Sequence, residues 1–448
     1  MRVVVIGGGF AGMAAACRLA GDGHAVTVLE AAPRLGGRAA SFEHHGQTID
    51  YGQHVLLRAC GAAQGFLERI GASDAVSFQE ALAIPLLCDG ERSVLRSWPL
   101  PGVTHLLPGL LGYAPLSRRE RIAAARAGLA LWASRSLRDE TFGEWLVRHG
   151  QTERAIRRLW DPIVIATLNA PSSVVSYRAA RHVFRDAFFV SHGADVGLFT
   201  QPLGDVFAAA RRYLEARDGT IELSSPAEAV SVSDGRACGV RLSSGRGIAG
   251  DAVIIAVPPD ALAGLVSGIP ELAPIVGVAQ RLEWAPIVNV HLTFDRKVLD
   301  DAFAVGIDSA VQAIFDRDRT TDHQTLMLSQ SVAAQWIDRP DAEIIAEFSS
   351  ALRALLPAVR GANLIDSLVL RHRRATFVPT PGSDALRPKS RTPIAGLYLA
   401  GDWTATGWPS TIESAVRSGV YAAAAAELDA EKGVEELLSD AATVPAEP

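Results

Sequence analysis

The sequence predicts an α/β protein in which a Rossmann-type dinucleotide-binding domain is interleaved with a second, α+β domain. Three observations carry that reading. A β-branched run, Arg2-Val3-Val4-Val5-Ile6, passes straight into Gly7-Gly8-Gly9-Phe10-Ala11-Gly12 and an alanine-rich helix. A second apolar strand, His24 to Leu29, ends on Glu30. At the far end of the chain, Leu397-Tyr398-Leu399-Ala400-Gly401-Asp402-Trp403 reads as another buried strand, ending in Gly-Asp. Signals of one domain at both ends imply that another is inserted between them.

Each residue of the glycine turn has a separate task. Gly7 permits the tight turn, Gly9 lets the backbone approach a pyrophosphate, and Gly12 lets the helix pack closely on its strand. The helix, from Ala11 to about Ala20, would aim its first amides and its positive dipole end at the phosphates. Glu30 stands where a carboxylate takes ribose hydroxyls. A 2′-phosphate would be repelled there, which disfavours NADP.

The next residues separate nicotinamide from flavin. Arg34-Leu35-Gly36-Gly37-Arg38 is a second glycine turn carrying guanidinium groups, and a pyrophosphate gains from a bidentate arginine. Arg38 is the better placed, with Arg34 expected at the surface. The stretch Glu30-Ala31-Ala32-Pro33-Arg34-Leu35-Gly36-Gly37-Arg38 resembles the extended FAD fingerprint of the amine oxidase and phytoene desaturase superfamily. Nicotinamide dehydrogenases do not usually carry that arm, so the resemblance implies FAD.

Composition bounds the rest. The 448 residues are 48% hydrophobic and 21% charged, and the net charge of −6 offers no basic footprint for nucleic acid. Cys17, Cys60, Cys88 and Cys238 are scattered without a C-x-x-C, which argues against zinc sites and disulfides. A cytoplasmic chain with reduced thiols and no bound metal is expected. No apolar run is long enough to span a bilayer. One segment, 98–113, is apolar and broken by Pro and Gly, and Arg118, Arg119 and Arg121 follow it. It suits a peripheral contact on the inner face of the membrane, a substrate-tunnel mouth, or a buried interdomain loop.

The chain divides as follows. Residues 1–80, 201–265 and 386–430 are assigned to the nucleotide domain, 81–200 and 266–385 to the substrate domain, and 431–448 to an acidic disordered tail. Strands are expected over 82–100 and a helix over 119–135. Thr141 with Glu144 forms a capping box for a helix reaching His149. A further helix, about 152–168, contains Leu159-Trp160-Asp161-Pro162, where Pro162 kinks it or starts a new one. Asp161 reads as an N-cap before it reads as a catalytic acid, although apolar neighbours would raise its pKa if it were buried. Residues 171–200 are expected to be irregular and aromatic. A helix is expected over 204–216, strands over 221–242, 251–257, 284–294 and 365–372, and a helix over 341–356. Arg371-His372-Arg373-Arg374 is a solvated cationic face, or a site for a leaving pyrophosphate or a partner. Thr411-Ile412-Glu413 opens a last helix running toward Leu428.

The resemblance extends over nearly the whole chain and implies roles for particular residues. Gly52, Gln53 and His54 would lie near the flavin ring, and Val230 would touch the adenine through its backbone. Gly401 and Asp402 would meet the ribityl chain, and the helix opening at Thr411 and Ile412 would face the flavin's electron-rich end. Asn289 stands where amine oxidases usually carry a lysine. Asp50-Tyr51-Gly52-Gln53-His54-Val55-Leu56-Leu57, Leu159-Trp160-Asp161-Pro162, Leu168-Asn169-Ala170-Pro171 and Gly401-Asp402-Trp403 resemble hydroxysqualene dehydroxylases. That likeness implies an apolar isoprenoid substrate and reductive dehydroxylation to squalene, with a donor to reduce the flavin. Phe377 and Trp408 are then candidates for π-faces beside a carbocation, and Asp161 or His54 for the acid. A polyprenoid desaturase running hydride transfer in the other direction, an amine oxidase and a flavin-bearing scaffold remain alternatives. Oligomeric state is not legible.

Overall fold

The computed structural model describes residues 1–135, 138–317 and 323–442. Its first sheet has five parallel strands, in spatial order Thr220–Glu222, Ala25–Leu29, Arg2–Ile6, Ala252–Ile255 and Leu397–Leu399. Parallel strands covered on both faces must be apolar throughout. Arg2–Ile6 shows why: Val3 and Val5 enter one core, Val4 and Ile6 the opposite one. The first core holds the helix Phe10–Gly21 and the closing helix Ile412–Ala442, which touch so closely that a Cβ on Gly419 would meet the Ala11 carbonyl oxygen at 2.1 Å. The second core holds the antiparallel strands Ala227–Ser233 and Arg236–Leu242 and the helix Pro259–Leu265.

The second sheet has seven strands, ordered Leu364–Phe377, Trp284–Phe294, Gln324–Gln330, Ala313–Asp316, Phe303–Gly306, Ala83–Cys88 and Glu91–Arg96. It is antiparallel except where Phe303–Gly306 runs beside Ala83–Cys88. The helix Asp341–Leu355 covers one face. The other carries the aromatic core of the helices between 118 and 188, including Phe142, Trp145, Trp160 and Phe184.

Several elements differ from expectation. The helix expected over 152–168 is broken into Glu153–Ala155, a π-turn Ile156–Trp160 and a helix Asp161–Leu168. Pro162 lacks the N–H needed to continue the first segment, so it begins the last one. Residues 171–200 are not irregular: Tyr177–Val183 is a helix capped by Ser176, a π-turn follows over Phe184–Phe188, and Val196–Phe199 is a strand. The strand expected over 365–372 extends over Leu364–Phe377. The closing helix continues to Ala442, through the first part of the stretch expected to be a disordered tail, because Ala, Glu and Leu carry it onward. Residues 443–448 lie outside the described residues.

Asn169 ties these parts together. It ends the helix Asp161–Leu168 in the left-handed region (φ 51°), where asparagine is tolerated. Its buried side chain donates to the Ala285 carbonyl at 3.2 Å and the Thr376 hydroxyl at 2.9 Å, and accepts from the Val332 amide at 2.9 Å. Asn169→Ala should lower unfolding free energy by about 2–4 kcal/mol, read by chemical denaturation, because three buried polar groups lose their partner together.

Candidate active site

Two cavities meet at the boundary of the two sheets. The first, of about 570 Å³, is a cleft over the C-terminal ends of the parallel strands. Gly7, Gly9, Ala11, Glu30, Arg38, Gly52, Gln53, Gly401, Asp402, Thr411 and Ile412 all line it. Gly12 lies behind this wall, where an added Cβ would stand 1.9 Å from the Gly7 carbonyl oxygen. Gly7 holds φ +109°, a conformation that favours glycine. A Cβ on Gly9 would meet nothing nearer than the Gly36 carbonyl oxygen at 3.8 Å, so it would project into the cleft itself.

The charged residues of the cleft are already engaged. Glu30 accepts from the Gly8 amide at 2.7 Å and the Ala32 amide at 2.8 Å, which fixes its carboxylate at the strand end. Arg38 donates to the Ala375 carbonyl at 2.8 Å and forms an ion pair with Asp402. Asp402 is buried, which by itself would raise its pKa, but Arg38, the Ser410 hydroxyl and nearby Arg387 outweigh burial and hold it below the usual carboxylate range. Buried Arg387 in turn donates to the Asp402 carbonyl at 3.1 Å and stacks over Phe377.

A cleft lined by glycines, the start of a helix, the Glu30 carboxylate and the Arg38–Asp402 pair fits FAD. The space a Gly9 Cβ would fill is the observation that tests that fit. Toward the inner end, Asn289 donates to the Tyr51 carbonyl at 3.2 Å while its own buried Oδ1 has no protein partner. His372 reaches the same carbonyl at 2.8 Å, so the loop carrying Gly52 and Gln53 is held from two sides. Gln53 also accepts from Arg317 at 2.7 Å.

The second cavity, of about 800 Å³, is the larger and is walled mainly by apolar side chains. Leu57, Leu86, Leu95, Leu159, Phe188 and Phe315 are among them. Gln53, His54, Ile287, Ser329, Thr376, Ser410, Thr411 and Ile412 line both cavities and therefore mark where they join. Trp408 lies in the second cavity, edge-on to His182 at 4.8 Å and under Arg417 at 5.0 Å. Its carboxylates all have protein partners: Asp308 holds Arg157 and Arg158 at 2.6 Å each, Asp186 holds His182, Glu347 holds Arg339, and Glu413 holds Arg417 and two backbone amides. No lysine lines either cavity.

Asp161 faces this second cavity, but it does not cap its helix. Its Oδ1 accepts from the Ser172 amide at 2.8 Å and hydroxyl at 2.5 Å, because the π-turn upstream carries the helical conformation straight through Asp161. Burial raises its pKa more than these two hydrogen bonds lower it. His54 is different. Burial, aided by His372, Arg38 and Arg317, pushes it down to about 4, and its shielded Nε2 has no partner. Burial thus works against the protonated form that the expected acid role would need, although His54 lies where the two cavities join.

Two further expectations are corrected. Val230 does not reach the cleft: it pairs with Val240 and packs in the core, while Pro226, Ala227 and Glu228, at the start of the same strand, form the wall. Phe377 is 2% exposed and packs with Trp403, Leu282 and Leu399, and its neighbours Ala375 and Thr376 face the cleft instead. The register shift between Ala285 and Ile287 in the pairing with Leu364–Phe377 decides which side of that strand faces in. The Arg371–Arg374 cluster is neutralised, with Asp341, Asp338 and Asp260 pairing Arg371, Arg373 and Arg374. Arg387 and Arg317 support the site without any local sequence signal, while Glu413 and His372 do so from within motifs read for other reasons.

Histidine burial makes stability depend on pH. His54 and buried His291 are both depressed to about 4, against an ordinary value of 6.5. The unfolded chain therefore binds the extra protons first as pH falls. Stability present above about 6.5 should be lost down to about 4, at most on the order of 3 kcal/mol per histidine. Thermal melts across that window would show it, and His291→Gln should flatten the slope.

Comparisons with known proteins show the family and the fold. Residues 10–426 match the model of a family described as flavin containing amine oxidoreductase. A hydroxysqualene dehydroxylase of Sinorhizobium fredii is 29% identical over 94% of this chain and 97% of its own. A 15-cis-phytoene desaturase of Solanum lycopersicum is 26% identical over 96% of this chain and 78% of its own. Among solved structures, an oxidoreductase from Methanosarcina mazei superposes with a TM-score of 0.76 at 18% identity, covering 94% of this chain and 99% of that one. A cyclohexylamine oxidase from Brevibacterium oxydans gives 0.71 at 20% identity, over 96% and 99%. At those identities the structures speak for the fold alone.

Proposed function

From the premise that the chain belongs to the family of flavin-containing amine oxidoreductases, and is an FAD-dependent oxidoreductase, we propose that it reduces hydroxysqualene to squalene. The observation that carries this reading is the apolar cavity of about 800 Å³ joined to the cofactor cleft, roomy enough for a long hydrocarbon. The match to hydroxysqualene dehydroxylases over nearly the full length of both chains supports it.

Bound and reduced, FAD supplies the hydride; an external donor must restore it. The chain's own residues have three tasks. Leu57, Leu159, Phe188 and their neighbours exclude water, so that a carbocation left by the departing hydroxyl is not captured by it. Trp408 offers a π-face to that cation. Asp161 faces the cavity with its pKa raised by burial, and is the group we assign to deliver the proton that converts the hydroxyl to leaving water. Each turnover thus consumes one proton and one hydride, and releases water.

A phytoene-type desaturase is the second reading, favoured by the similarity to phytoene desaturases. An amine oxidase has less support. Asn289 stands in place of a lysine, and each carboxylate of the apolar cavity already has a partner. Anaerobic incubation of the reduced holoenzyme with hydroxysqualene, read by mass spectrometry, tests the proposal: squalene is expected. Turnover only of squalene or phytoene with an added oxidant would replace it by desaturation, and peroxide release from amines would overturn both. The hydrocarbon resides in lipid, and residues 98–113 are the segment we set against it.

A further inference from the structure

We propose that the helix Arg118–Ala133 and the preceding segment 98–111 form one docking face for an anionic phospholipid bilayer, through which the apolar cavity is loaded. The inference rests on the isoprenoid reading above. Trp98, Leu100 and Leu111 are 55%, 40% and 54% exposed, and Ile122, Leu129 and Trp132 are 56%, 43% and 51% exposed. On a helix of 3.6 residues per turn the last three share one stripe. The two elements abut: Arg121 donates to the Leu111 carbonyl at 2.7 Å and to the Leu116 carbonyl at 2.9 Å.

Charge selects the partner. Between Ser117 and Arg135 the sequence carries Arg118, Arg119, Arg121, Arg126 and Arg135 against one carboxylate, Glu120, in a chain whose net charge is −6. Glu120 is buried and paired with Arg154, so it does not offset that excess at the surface. An apolar stripe flanked by arginines matches a surface of acyl chains and negative headgroups. Among the described residues no helix is long and apolar enough to cross a membrane, so the contact is with one leaflet. The face also lies directly outside the substrate space. Leu95 and Tyr113 line the apolar cavity, and the short helix Leu107–Leu111 presses on the strand Glu91–Arg96 so tightly that a Cβ on Gly109 would meet the Arg96 carbonyl oxygen at 2.2 Å.

The test is flotation of the full-length, FAD-loaded protein with vesicles, no isoprenoid present, comparing phosphatidylcholine with mixtures containing phosphatidylglycerol. Binding to the anionic vesicles and weak binding to the neutral ones are expected. Ile122→Asp with Trp132→Asp, and separately Arg118→Glu with Arg119→Glu, should each lower bound protein by about tenfold or more. Flavin absorbance and melting temperature of the variants check that they are folded. Equal binding by folded variants, or no binding by the parent, would overturn the proposal. So would a parent that stays off vesicles and self-associates through this face, seen as a dimer by light scattering that the variants abolish. Because detergent-dispersed hydroxysqualene can be assayed without vesicles, failure here leaves the catalytic reading standing, and failure there leaves this one.

Discussion

Gly12→Ala should unfold the nucleotide half of the molecule, whereas Gly9→Val should leave it folded and empty of FAD. The two glycines lie three residues apart in one turn, yet their surroundings differ. A Cβ on Gly12 would stand 1.9 Å from the Gly7 carbonyl oxygen and 3.3 Å from the Ala256 side chain. Backbone cannot yield there without moving the helix Phe10–Gly21 off the strand Arg2–Ile6, and a destabilisation upward of about 3 kcal/mol is expected. A side chain on Gly9 enters the cleft, with its nearest neighbour 3.8 Å away, and takes the volume a pyrophosphate needs. Thermal melting separates the first effect and flavin absorbance of the purified protein the second. Stoichiometric FAD in Gly9→Val, or parental stability in Gly12→Ala, would contradict the assignment of the cleft.

Asp161→Asn should lower kcat with hydroxysqualene by about 10²- to 10⁴-fold, the range for loss of a general acid. The amide keeps an oxygen to accept from Ser172, so the helix Asp161–Leu168 should hold its place and melting temperature should change little. The pH profile carries the sign. Activity of the parent should fall as pH rises through the raised carboxyl pKa, and the variant should lose that limb. His54→Gln, by contrast, should keep it, because burial pushes the His54 imidazole down to about 4. A limb that survives in Asp161→Asn would show that the proton comes from elsewhere.

How much of this was legible depended on the range of the interaction. Local devices were read directly: the β-branched strand before Gly7, the capping box of Thr141 and Glu144, and the full extent of the strand Trp284–Phe294. The resemblance, not the strand pattern, pointed to Asn289, which lines the cleft. What failed was set by partners distant in sequence. Arg38 and Asp402 pair across 364 positions, and each had been read only as a contact to a ligand. Val230 and Phe377 were assigned by distance along a strand, but pairing register and a local irregularity decide which side chain turns inward. Asp161 looked like a cap because it precedes Pro162, and only the π-turn before it shows that the helical path was already established.

The reaction itself is tested most directly by a single anaerobic turnover. The holoenzyme is reduced, freed of excess reductant and mixed with hydroxysqualene while the oxidised-flavin absorption is followed. That band should return with one squalene formed per FAD, at a rate slowed in Asp161→Asn. A flavin that stays reduced in the presence of hydroxysqualene, or that reoxidises without squalene appearing, would contradict the account.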